Sequence, residues 1–559
     1  MITSKCLCNF AVKLKPRAKN LERIGKKRFQ MTEKLLSQYD VVIVGGGVTG
    51  AGVARDCAMR GMSTLLVESH DLTYGTTGRN HGLMHSGARY AVTDLENARE
   101  CIEENKILCR IARHCVEPTG GLFISLPEDD LAYQARLVES CHEAGINAEV
   151  IDAAEARRIE PAVNPTLVSA VLVPDASIDP FKLTMSNVLD AQLHGATVLT
   201  YHEVVAIHRA GNAVSAVTLR DNLTREQKRV DAGVVINAAG IWSTLVAKLA
   251  GVELKMLPAR GALLLLGQRV NKMVINRCRK PANADILVPT GNVCVLGTTS
   301  RRVPIEEIED MSVTVEEAQM LLTEGVKLAP AIARTRVLRA YAGVRPLVAD
   351  DDDPTGRNVS RGISCIDHSE RDGVENFITI TGGKMMTYRL MAQIATDLAC
   401  KKLRLSRRCA TATTALPGSD SAAASTSTTW HDFTISKPWR HDKNNRLLCT
   451  CEGVTEHEVE TILNEDDDVD FDALRRRTRL GMGPCQGRMC ACRVARKMCA
   501  RQGEDEAMKR LVNFMNERWK GMRPVTWSDT LSEAYNTALV YQDLCGVDQI
   551  MKTIKEKEI

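Results

Sequence analysis

The stretch that decides the fold is Tyr39-Asp40-Val41-Val42-Ile43-Val44-Gly45-Gly46-Gly47-Val48-Thr49-Gly50, in which an apolar run ends in closely spaced glycines. The apolar run predicts a buried β-strand, and residues 51–60 after the turn predict a helix. A second strand is expected over 63–67, and it ends at Glu68, 18 residues after Gly50. A strand, a glycine turn, a helix and an acidic residue in this order are typical of a dinucleotide-binding βαβ unit.

The residues of this turn have physical reasons to bind a nucleotide. Gly45, Gly47 and Gly50 would let the backbone approach a pyrophosphate, whose charge the helix N-terminus stabilises. The Glu68 carboxylate would bind ribose hydroxyls and repel a 2′-phosphate, which argues against NADP. The alternative is a glycine turn with a purely structural role.

Three further glycine-containing segments favour FAD over an exchangeable NAD. The loop over 75–82 is polar and would enclose a flat ring and a phosphate. The segments 234–240 and 378–384 each run from a strand-like stretch into glycines, so each would return the chain to the same crevice. Together with the first glycine turn, these two segments bring the chain to one crevice three times, which suits an extended FAD. The cofactor-binding candidates from these segments are Thr76, Thr77, His81, Gly240, Gly382 and Gly383.

Length and charge limit the number of domains and the classes of partner that the chain can have. A chain of 559 residues needs two or three domains. The net charge of +4 conceals a division, since residues 1–30 hold nine Lys and Arg against one Glu, which leaves −4 for the rest. That balance provides no field for binding nucleic acid. The sequence has no apolar run of about 18 residues, so no transmembrane helix is expected.

The composition along the chain divides it into five segments. Residues 1–36 are a basic N-terminal extension, expected to be disordered, and residues 37–405 alternate strand-like and helical patterns, which predicts an α/β domain that binds FAD. Residues 406–445 are a linker that includes a stretch composed almost entirely of Ala, Thr, Ser, Gly and Pro. Residues 446–501 are a cysteine-rich domain, and residues 502–559 are a helical tail.

Four cysteines have the spacing of a metal site. Cys449-x-Cys451 is followed, after 33 intervening residues, by Cys485-x4-Cys490. Four thiolates are the number that a 2Fe-2S cluster or an all-cysteine zinc site needs. The spacing resembles that of the bacterioferritin-associated-ferredoxin-like cluster domain more than a zinc ribbon, in which both pairs are usually C-x2-C. A 2Fe-2S cluster is therefore the expected cofactor, with zinc as the alternative.

The glycine turn and several later segments together resemble a known family. Residues 40–400 are similar to the FAD-dependent glycerol-3-phosphate dehydrogenases, within the wider D-amino-acid-oxidase-like group. Adding the four cysteines narrows the resemblance to the A subunits of anaerobic glycerol-3-phosphate dehydrogenases. The segments of the oxidoreductase domain that carry the resemblance are Asp40–Gly50, His85–Tyr90, Gly343–Leu347 and Gly382–Arg389.

The resemblance implies a fold, an activity and partners. The fold would be a Rossmann-like FAD-binding domain with an interleaved mixed-sheet substrate domain, followed by a small helical iron–sulfur domain. The activity would be oxidation of sn-glycerol 3-phosphate to dihydroxyacetone phosphate, with hydride transfer to the flavin. The partners would be a second, flavin-containing subunit together with a membrane-anchoring iron–sulfur subunit, and they would pass electrons to a quinone in anaerobic respiration. The chain would then lie peripherally at the cytoplasmic face of the inner membrane.

The resemblance also supplies candidates for substrate binding and catalysis. Arg345 and Lys384 match family positions that face the substrate, and Arg361 is a third basic residue in the corresponding stretch. A phosphate monoester needs several fixed positive groups when it is partly desolvated. Histidine is the natural base for the proton of the substrate hydroxyl. His85, which lies in a family motif, is the first candidate for that base, and His81 is the second.

Other functions remain open on the sequence alone. A related flavin dehydrogenase could act on an amine or a 2-hydroxy acid, because Arg345 would bind a carboxylate as well as a phosphate. The additional positive charge of Lys384 favours phosphate. A third alternative is an electron-transfer flavoprotein without a substrate of its own. Arg89 would be either a partner on the proton-transfer side or one half of a structural ion pair.

Overall fold

The computed structural model describes most of the chain. The described residues fall into two compact units, one within 34–438 and the other within 439–559. The predicted extension over 1–36 lies outside the described residues apart from its last two positions, and so does residue 420 onward of the predicted linker. The described ranges are 35–309, 311–348, 361–419, 446–465, 469–544 and 546–548.

The first unit is built from strands and helices that alternate along the chain. Its strands are β1 (Gln38–Val44), β2 (Thr64–Val67), β3 (Leu83–Met84), β4 (Val116–Glu117), β5 (Gly121–Ser125), β6 (Glu149–Asp152), β7 (Ser169–Val173), β8 (Ala176–Ile178), β9 (Thr197–Leu199), β10 (His202–Ala210), β11 (Ala213–Asp221), β12 (Gln227–Asn237), β13 (Leu257–Leu266), β14 (Val274–Arg277), β15 (Ile286–Thr290), β16 (Val293–Gly297), β17 (Arg301–Arg302), β18 (Val337–Leu347), β19 (Ile363–Asp367) and β20 (Phe377–Gly382). Its α-helices are α1 (Val48–Met59), α2 (Ala88–Ala91), α3 (Leu95–Ile111), α4 (Leu131–Glu143), α5 (Ala153–Ile159), α6 (Pro180–Leu193), α7 (Ser243–Leu249), α8 (Val315–Leu328), α9 (His368–Asp372) and α10 (Tyr388–Lys402).

The first sheet carries the glycine turn. Within the described residues it has the order β10-β11-β12-β1-β2-β9, and β20 pairs with β12 while β19 pairs with β20. Strands β12, β1, β2 and β9 run parallel, as does β20 against β12. The apolar run of the sequence is buried as β1, with Val41, Val42 and Ile43 fully excluded from solvent. Strands that are buried on both faces are expected of a parallel sheet covered by helices.

The second sheet is interleaved with the first along the chain. Among the described residues it has the order β17-β13-β16-β15-β14-β5-β7-β6, with β18 paired to β13. It contains parallel and antiparallel pairs, and its strands come from the segments before β9 and after β12. The prediction of a Rossmann-like domain with an interleaved mixed-sheet domain is therefore confirmed.

The helix after the glycine turn begins earlier than the sequence pattern predicts. It starts at Val48 rather than Ala51, so Gly50 lies inside its first turn. The second strand begins at Thr64 rather than Ser63. The apolar periodicity marked the middle of each element, whereas glycines within a first helical turn give no periodic signal.

Part of the predicted linker packs against the first unit. Leu416 is only 1% exposed and lies in an apolar cluster of this unit. The buried guanidinium of Arg55 donates to the carbonyl oxygen of Thr414 at 2.9 Å. Residues 406–419 thus belong to the surface of the first unit, although their composition resembles that of a linker.

The second unit is mostly helical. Its elements are β21 (Leu447–Cys449), β22 (Val454–Thr455), α11 (Glu456–Glu465), α12 (Phe471–Thr478), α13 (Ala491–Gln502), α14 (Glu504–Met522) and α15 (Ser528–Leu539), with a π-helical turn over Val540–Leu544. One apolar core joins residues of the cysteine-rich segment to Leu511 and Tyr541 of the C-terminal helices. In the described parts of both units, no helix combines the length and apolar character needed to cross a membrane.

Candidate functional site

The first unit contains a cavity of about 1320 Å³ that is lined by residues of both sheets. The carboxyl ends of β1, β2, β12 and β20 face it from one side, and β13 and β18 face it from the other. In open parallel sheets, ligands bind at this edge. The sequence-predicted residues that line the cavity are Gly45, Gly47, Glu68, Thr76, Thr77, His81, His85, Gly240, Arg345, Arg361, Gly382, Gly383 and Lys384.

Two glycines of the turn are required by close backbone contacts. Gly45 has φ +116°, and a Cβ added there would lie 2.6 Å from the carbonyl oxygen of Ala238. A Cβ added at Gly50 would lie 1.9 Å from the carbonyl oxygen of Gly45. Gly50, unlike the other predicted cofactor residues, is not part of the cavity lining. Its role is to let α1 pack onto the turn, while Gly45 and Gly47 face the cavity.

The Glu68 carboxylate is fixed at the end of β2. Its Oε2 accepts a hydrogen bond from the Gly46 amide at 2.6 Å, and its Oε1 accepts one from the His70 amide at 2.9 Å. The Ser69 hydroxyl also donates to Oε1 at 3.2 Å, and because a carboxylate has about four acceptor positions, this group can still accept a hydrogen bond from a ribose hydroxyl. The close glycine backbone, the N-terminus of α1 and this oriented acid together fit a dinucleotide such as FAD.

The polar loop after β2 connects the two sides of the cavity. The Thr77 hydroxyl accepts a hydrogen bond from the Val48 amide at 3.1 Å, at the first residue of α1. The Thr76 hydroxyl donates to the carbonyl oxygen of Val344 in β18 at 2.5 Å. Because Thr77 contacts α1 and the adjacent Thr76 contacts β18, this loop joins the nucleotide end of the cavity to the end formed by the second sheet.

Four basic side chains surround two histidines at that second end. Arg89, Arg345, Arg361 and Lys384 all line the cavity there. Arg345 in β18 donates from Nη2 to the Thr298 hydroxyl at 2.6 Å. This contact fixes the Arg345 guanidinium within the cavity wall. The four basic side chains together give this end of the cavity a positive environment for a small anion.

Lys384 is held in the wall by residues of α3. Its ammonium donates to the side-chain oxygen of Asn97 and lies 3.3 Å from Glu100 Oε2. It also lies 5.6 Å from the centre of the Tyr90 ring. The side chain is buried, so its charge is oriented by α3 rather than solvated. A bound anion would share this ammonium with Glu100.

Arg89 was left undecided by the sequence, and it lies in the cavity lining. Its Nη2 is 3.6 Å from the Asp285 carboxylate, which is buried and also binds Arg279. Arg89 therefore takes part in an ion pair and faces the cavity at the same time. Its position within the His85–Tyr90 motif was the signal that could have included it among the substrate residues.

His81 is a neutral histidine with a defined tautomer. Burial, followed by the charges of Arg345, Arg89 and Arg361, lowers the pKa of His81 to about 3. Its Nδ1 accepts a hydrogen bond from the Leu83 amide at 3.1 Å. In a neutral imidazole whose Nδ1 accepts, Nε2 carries the hydrogen. His81 therefore presents a hydrogen-bond donor to the cavity.

His85 is also neutral, and hydrogen bonds to Asp175 and Asn105 hold its loop in place. Burial and the neighbouring His81, Arg89, Arg361 and Lys384 hold the pKa of His85 well below its usual value. The next residue, Ser86, donates from its amide and from its hydroxyl to Asp175 Oδ1, each at 2.7 Å. The Asn105 side-chain amide donates to the carbonyl oxygen of His85 at 3.3 Å. No sequence signal marked Asp175 or Asn105, because each stands alone in its segment.

The four predicted metal ligands lie in the second unit as two hydrogen-bonded thiol pairs, Cys449 with Cys490 and Cys451 with Cys485. Donation by the Cys490 thiol lowers the pKa of Cys449, and donation by the Cys451 thiol lowers that of Cys485, while the same contacts together with burial raise the pKa of the two donor thiols. The described side chains include no group of three or more already arranged around a metal position. Four thiols are nevertheless the number of ligands that a 2Fe-2S cluster needs, and metal binding itself removes the protons of its thiol ligands.

Known protein families match both units. Residues 40–398 match the family described as FAD dependent oxidoreductase, and residues 447–496 match the BFD-like [2Fe-2S] binding domain. These matches confirm the predicted cofactors, FAD and a 2Fe-2S cluster, and favour the cluster over zinc. A solved glycerol-3-phosphate dehydrogenase from Bacillus halodurans, complexed with FAD, has a TM-score of 0.52 at 20% identity, with 95% of this chain and 92% of that chain covered. The FAD-bound L-alpha-glycerophosphate oxidase of Mycoplasma pneumoniae has a TM-score of 0.55 at 20% identity, covering 68% of this chain and 100% of that chain. At this identity the two structures support the fold alone.

Sequence relatives are more similar. The chain is 54% identical over 530 residues to the A subunit of the anaerobic glycerol-3-phosphate dehydrogenase of Escherichia coli (strain K12), covering 92% of this chain and 98% of that protein. It is 38% identical over 532 residues to the A1 subunit of the Haloferax volcanii enzyme of the same name, covering 88% of each. The chain is therefore an FAD-dependent oxidoreductase with a 2Fe-2S domain, and it belongs to the family of anaerobic glycerol-3-phosphate dehydrogenase A subunits.

Proposed function

We propose that this chain oxidises the C2 hydroxyl of sn-glycerol 3-phosphate to the ketone of dihydroxyacetone phosphate. The observation that carries the proposal is the group of four basic side chains around two neutral histidines, at the end of the cavity remote from the nucleotide turn. FAD, when bound along the cavity, supplies the acceptor for the hydride that leaves C2. The names of the relatives support the same substrate.

The basic side chains bind and orient the phosphate. Arg345 offers a planar guanidinium that can donate two parallel hydrogen bonds to phosphate oxygens. Arg361 and Lys384 add positive charge on the same cavity wall. A dianion that loses part of its hydration needs more than one cation, whereas a carboxylate substrate needs one. The number of cations therefore favours a phosphate over a 2-hydroxy acid, and the same charge would repel a protonated amine.

His85 accepts the proton of the substrate hydroxyl. A general base needs an unprotonated nitrogen with a free lone pair, and the low pKa of His85 keeps its imidazole neutral. His81 is less suited to this role, because its Nδ1 lone pair is used by the Leu83 amide and its Nε2 carries the hydrogen. His81 donates instead, and it can bind a substrate or flavin oxygen. The substrate anion raises the proton affinity of His85 when it binds next to the imidazole.

The four cysteines would hold the 2Fe-2S cluster, which would supply one-electron transfer toward partner proteins. The relatives are named as A subunits, which supports an assembly with further components. The proposed partners are a second, flavin-containing subunit together with a membrane-anchoring iron–sulfur subunit, with a quinone as the acceptor. In that assembly the chain would lie at the cytoplasmic face of the inner membrane, attached through its partners.

The test is an anaerobic visible spectrum of the full chain, loaded with FAD and cluster, before and after addition of sn-glycerol 3-phosphate. Bleaching of the flavin band by this compound, but not by glycerol or L-lactate, is the expected result. Arg345→Met should raise the substrate concentration needed for bleaching by at least about tenfold. Arg157→Met, which removes an exposed guanidinium outside the cavity lining, should leave it unchanged.

The outcomes separate the candidate functions. Bleaching by a 2-hydroxy acid or an amine at lower concentration than by the phosphate ester would replace the proposed substrate. A flavin that no small molecule reduces, but that exchanges electrons with the cluster, would identify an electron-transfer protein without a substrate.

A further inference from the structure

The C-terminal helices contact the loop that carries two of the cysteines, although they lie beyond the residues that match the 2Fe-2S family, 447–496. The Tyr541 hydroxyl donates to the carbonyl oxygen of Gly487 at 3.1 Å. A Cβ added at Gly487 would lie 2.6 Å from the ring of Phe514. Residues from α14 and from the turn after α15 thus pack directly on the loop between Cys485 and Cys490.

Arg518 of α14 is the charged residue at this contact. It is 7% exposed, and its side chain lies 4.8 Å from the centre of the Phe514 ring. Its Nη1 donates to Gln486 Oε1 at 3.1 Å, and its Nη2 donates to the carbonyl oxygen of Gly481 at 3.0 Å. Gln486 directly follows Cys485. The guanidinium therefore binds both the residue that follows Cys485 and Gly481, which lies four positions before that cysteine.

Gln486 transmits this contact into the loop backbone. It has φ +49°, a conformation that non-glycine residues seldom adopt. Its side-chain amide donates to the carbonyl oxygens of Met482 and Gly483, at 3.0 and 2.9 Å. The Gln486 side chain is thus bonded on both ends, by Arg518 on its oxygen and by the loop on its nitrogen. A buried network of this kind keeps one loop conformation only while every member is bonded.

We infer that Arg518 is a positioning residue for the 2Fe-2S cluster: it holds the Cys485–Cys490 loop in its ligating conformation, and its buried charge favours the reduced cluster. The inference takes the four cysteines as the ligands. Reduction adds a negative charge to the cluster, and a fixed cation in a poorly solvated position stabilises that charge. The loop contact and the charge are separable, because lysine keeps the charge and lacks the planar fork.

The experiment uses the full chain with FAD and cluster, and it follows the cluster by electron paramagnetic resonance during a redox titration. Arg518→Met should lower the equilibrium constant for reduction of the cluster about tenfold, which lowers the potential of a one-electron couple by 59 mV. Arg518→Lys should keep the potential close to that of the native chain but lose iron to a chelator about ten times faster. Arg523→Met, an exposed arginine five positions further along, is the matched control for both measurements.

The flavin potential of the same samples is the internal reference, and it should not change. If Arg518→Met has the native cluster potential, the charge of Arg518 does not favour the reduced cluster. If Arg518→Lys loses iron at the native rate, Arg518 does not hold the Cys485–Cys490 loop in place. If Arg518→Met binds no cluster while its helicity and FAD content are native, positioning is supported, and Arg518→Lys then decides the effect of charge. A native chain that binds no cluster would refute the ligand assignment itself rather than the role of Arg518.

Discussion

Replacing Asp175 by alanine should damage catalysis more than it damages folding. Asp175 does not line the cavity, but its carboxylate accepts two hydrogen bonds from Ser86, the residue that follows His85. Its Oδ2 also accepts a bond from the Asn276 side-chain amide at 3.3 Å. The substitution removes the carboxylate that holds the loop carrying His85 in place.

The loss of folding free energy comes from the polar groups of Ser86 that the substitution leaves without an acceptor. Ser86 is fully buried, so its amide and hydroxyl would lose their acceptor where water does not replace it, at about 1–3 kcal/mol for each group. Burial raises the pKa of Asp175, which means that keeping its charge in the folded protein is itself unfavourable. Removing that charge recovers part of the loss. We therefore expect a net destabilisation of about 3 kcal/mol.

The catalytic effect should be larger. A shift of the loop by about 1 Å would misplace the His85 imidazole relative to the substrate hydroxyl, which corresponds to about a 100-fold fall in kcat. The assay is steady-state oxidation of sn-glycerol 3-phosphate with an artificial acceptor, with FAD content measured for each sample and stability measured by urea unfolding. Asp179→Ala is the control, because Asp179 is also a buried carboxylate and accepts from the amides of Phe181 and Lys182. Equal kcat values in the two variants would show that Asp175 does not position the His85 loop for catalysis.

Three further predictions concern the turn, the histidine and the cluster. Gly50→Ala should reduce FAD content at least about tenfold in the purified chain, because its Cβ would overlap the Gly45 carbonyl oxygen and the turn must shift. His81→Asn should make urea stability less dependent on pH between 6.5 and 4.5. Since the pKa of His81 is about 3 in the folded chain, the unfolded chain binds more protons in this window and stability falls as the pH falls, by about 2 kcal/mol from this residue. Cys485→Ser should abolish the cluster signal and leave the FAD content unchanged, as measured by iron and flavin analysis.

Each of these has an outcome that would count against it. Gly145→Ala is the control for Gly50, because nothing lies within 4 Å of its added Cβ and only its φ of +78° is unfavourable. Similar FAD contents in the two alanine variants would remove the steric argument. Parallel pH profiles for His81→Asn and the native chain would show that His81 does not titrate as stated. A Cys485→Ser chain with full iron content would exclude Cys485 as a ligand.

The parts of the fold that could be predicted from sequence are those with local causes. The β1 run, the glycines after it and Glu68 are consecutive or nearly so, and the close contacts of Gly45 and Gly50 explain why no other residue stands there. The cysteine pairs were found in the same way, since each pair lies within a few residues. Local spacing is visible in a single sequence, and these features needed nothing else.

The parts that could not be predicted depend on contacts between distant segments. Asp175 is 89 residues from Ser86, and Arg518 is 32 residues from Gln486. Neither belongs to a motif, and a lone charged residue in a sequence usually predicts a solvated surface. The burial of Leu416 has a similar cause, because this residue reaches an apolar cluster that only the folded domain creates. Which cation faces the cavity and which acts as a structural partner is likewise decided by packing.

The contacts of Phe514, Arg518 and Tyr541 with the Cys485–Cys490 loop have a consequence for synthesis in the cell. All four cysteines leave the ribosome before these residues do, so the nascent chain exposes reactive thiols before their supporting helices exist. We expect stable cluster insertion to follow release of the completed chain. Ribosome-bound chains in which Cys490 has left the exit tunnel but Phe514 has not should accordingly bind the cluster less stably than the released chain.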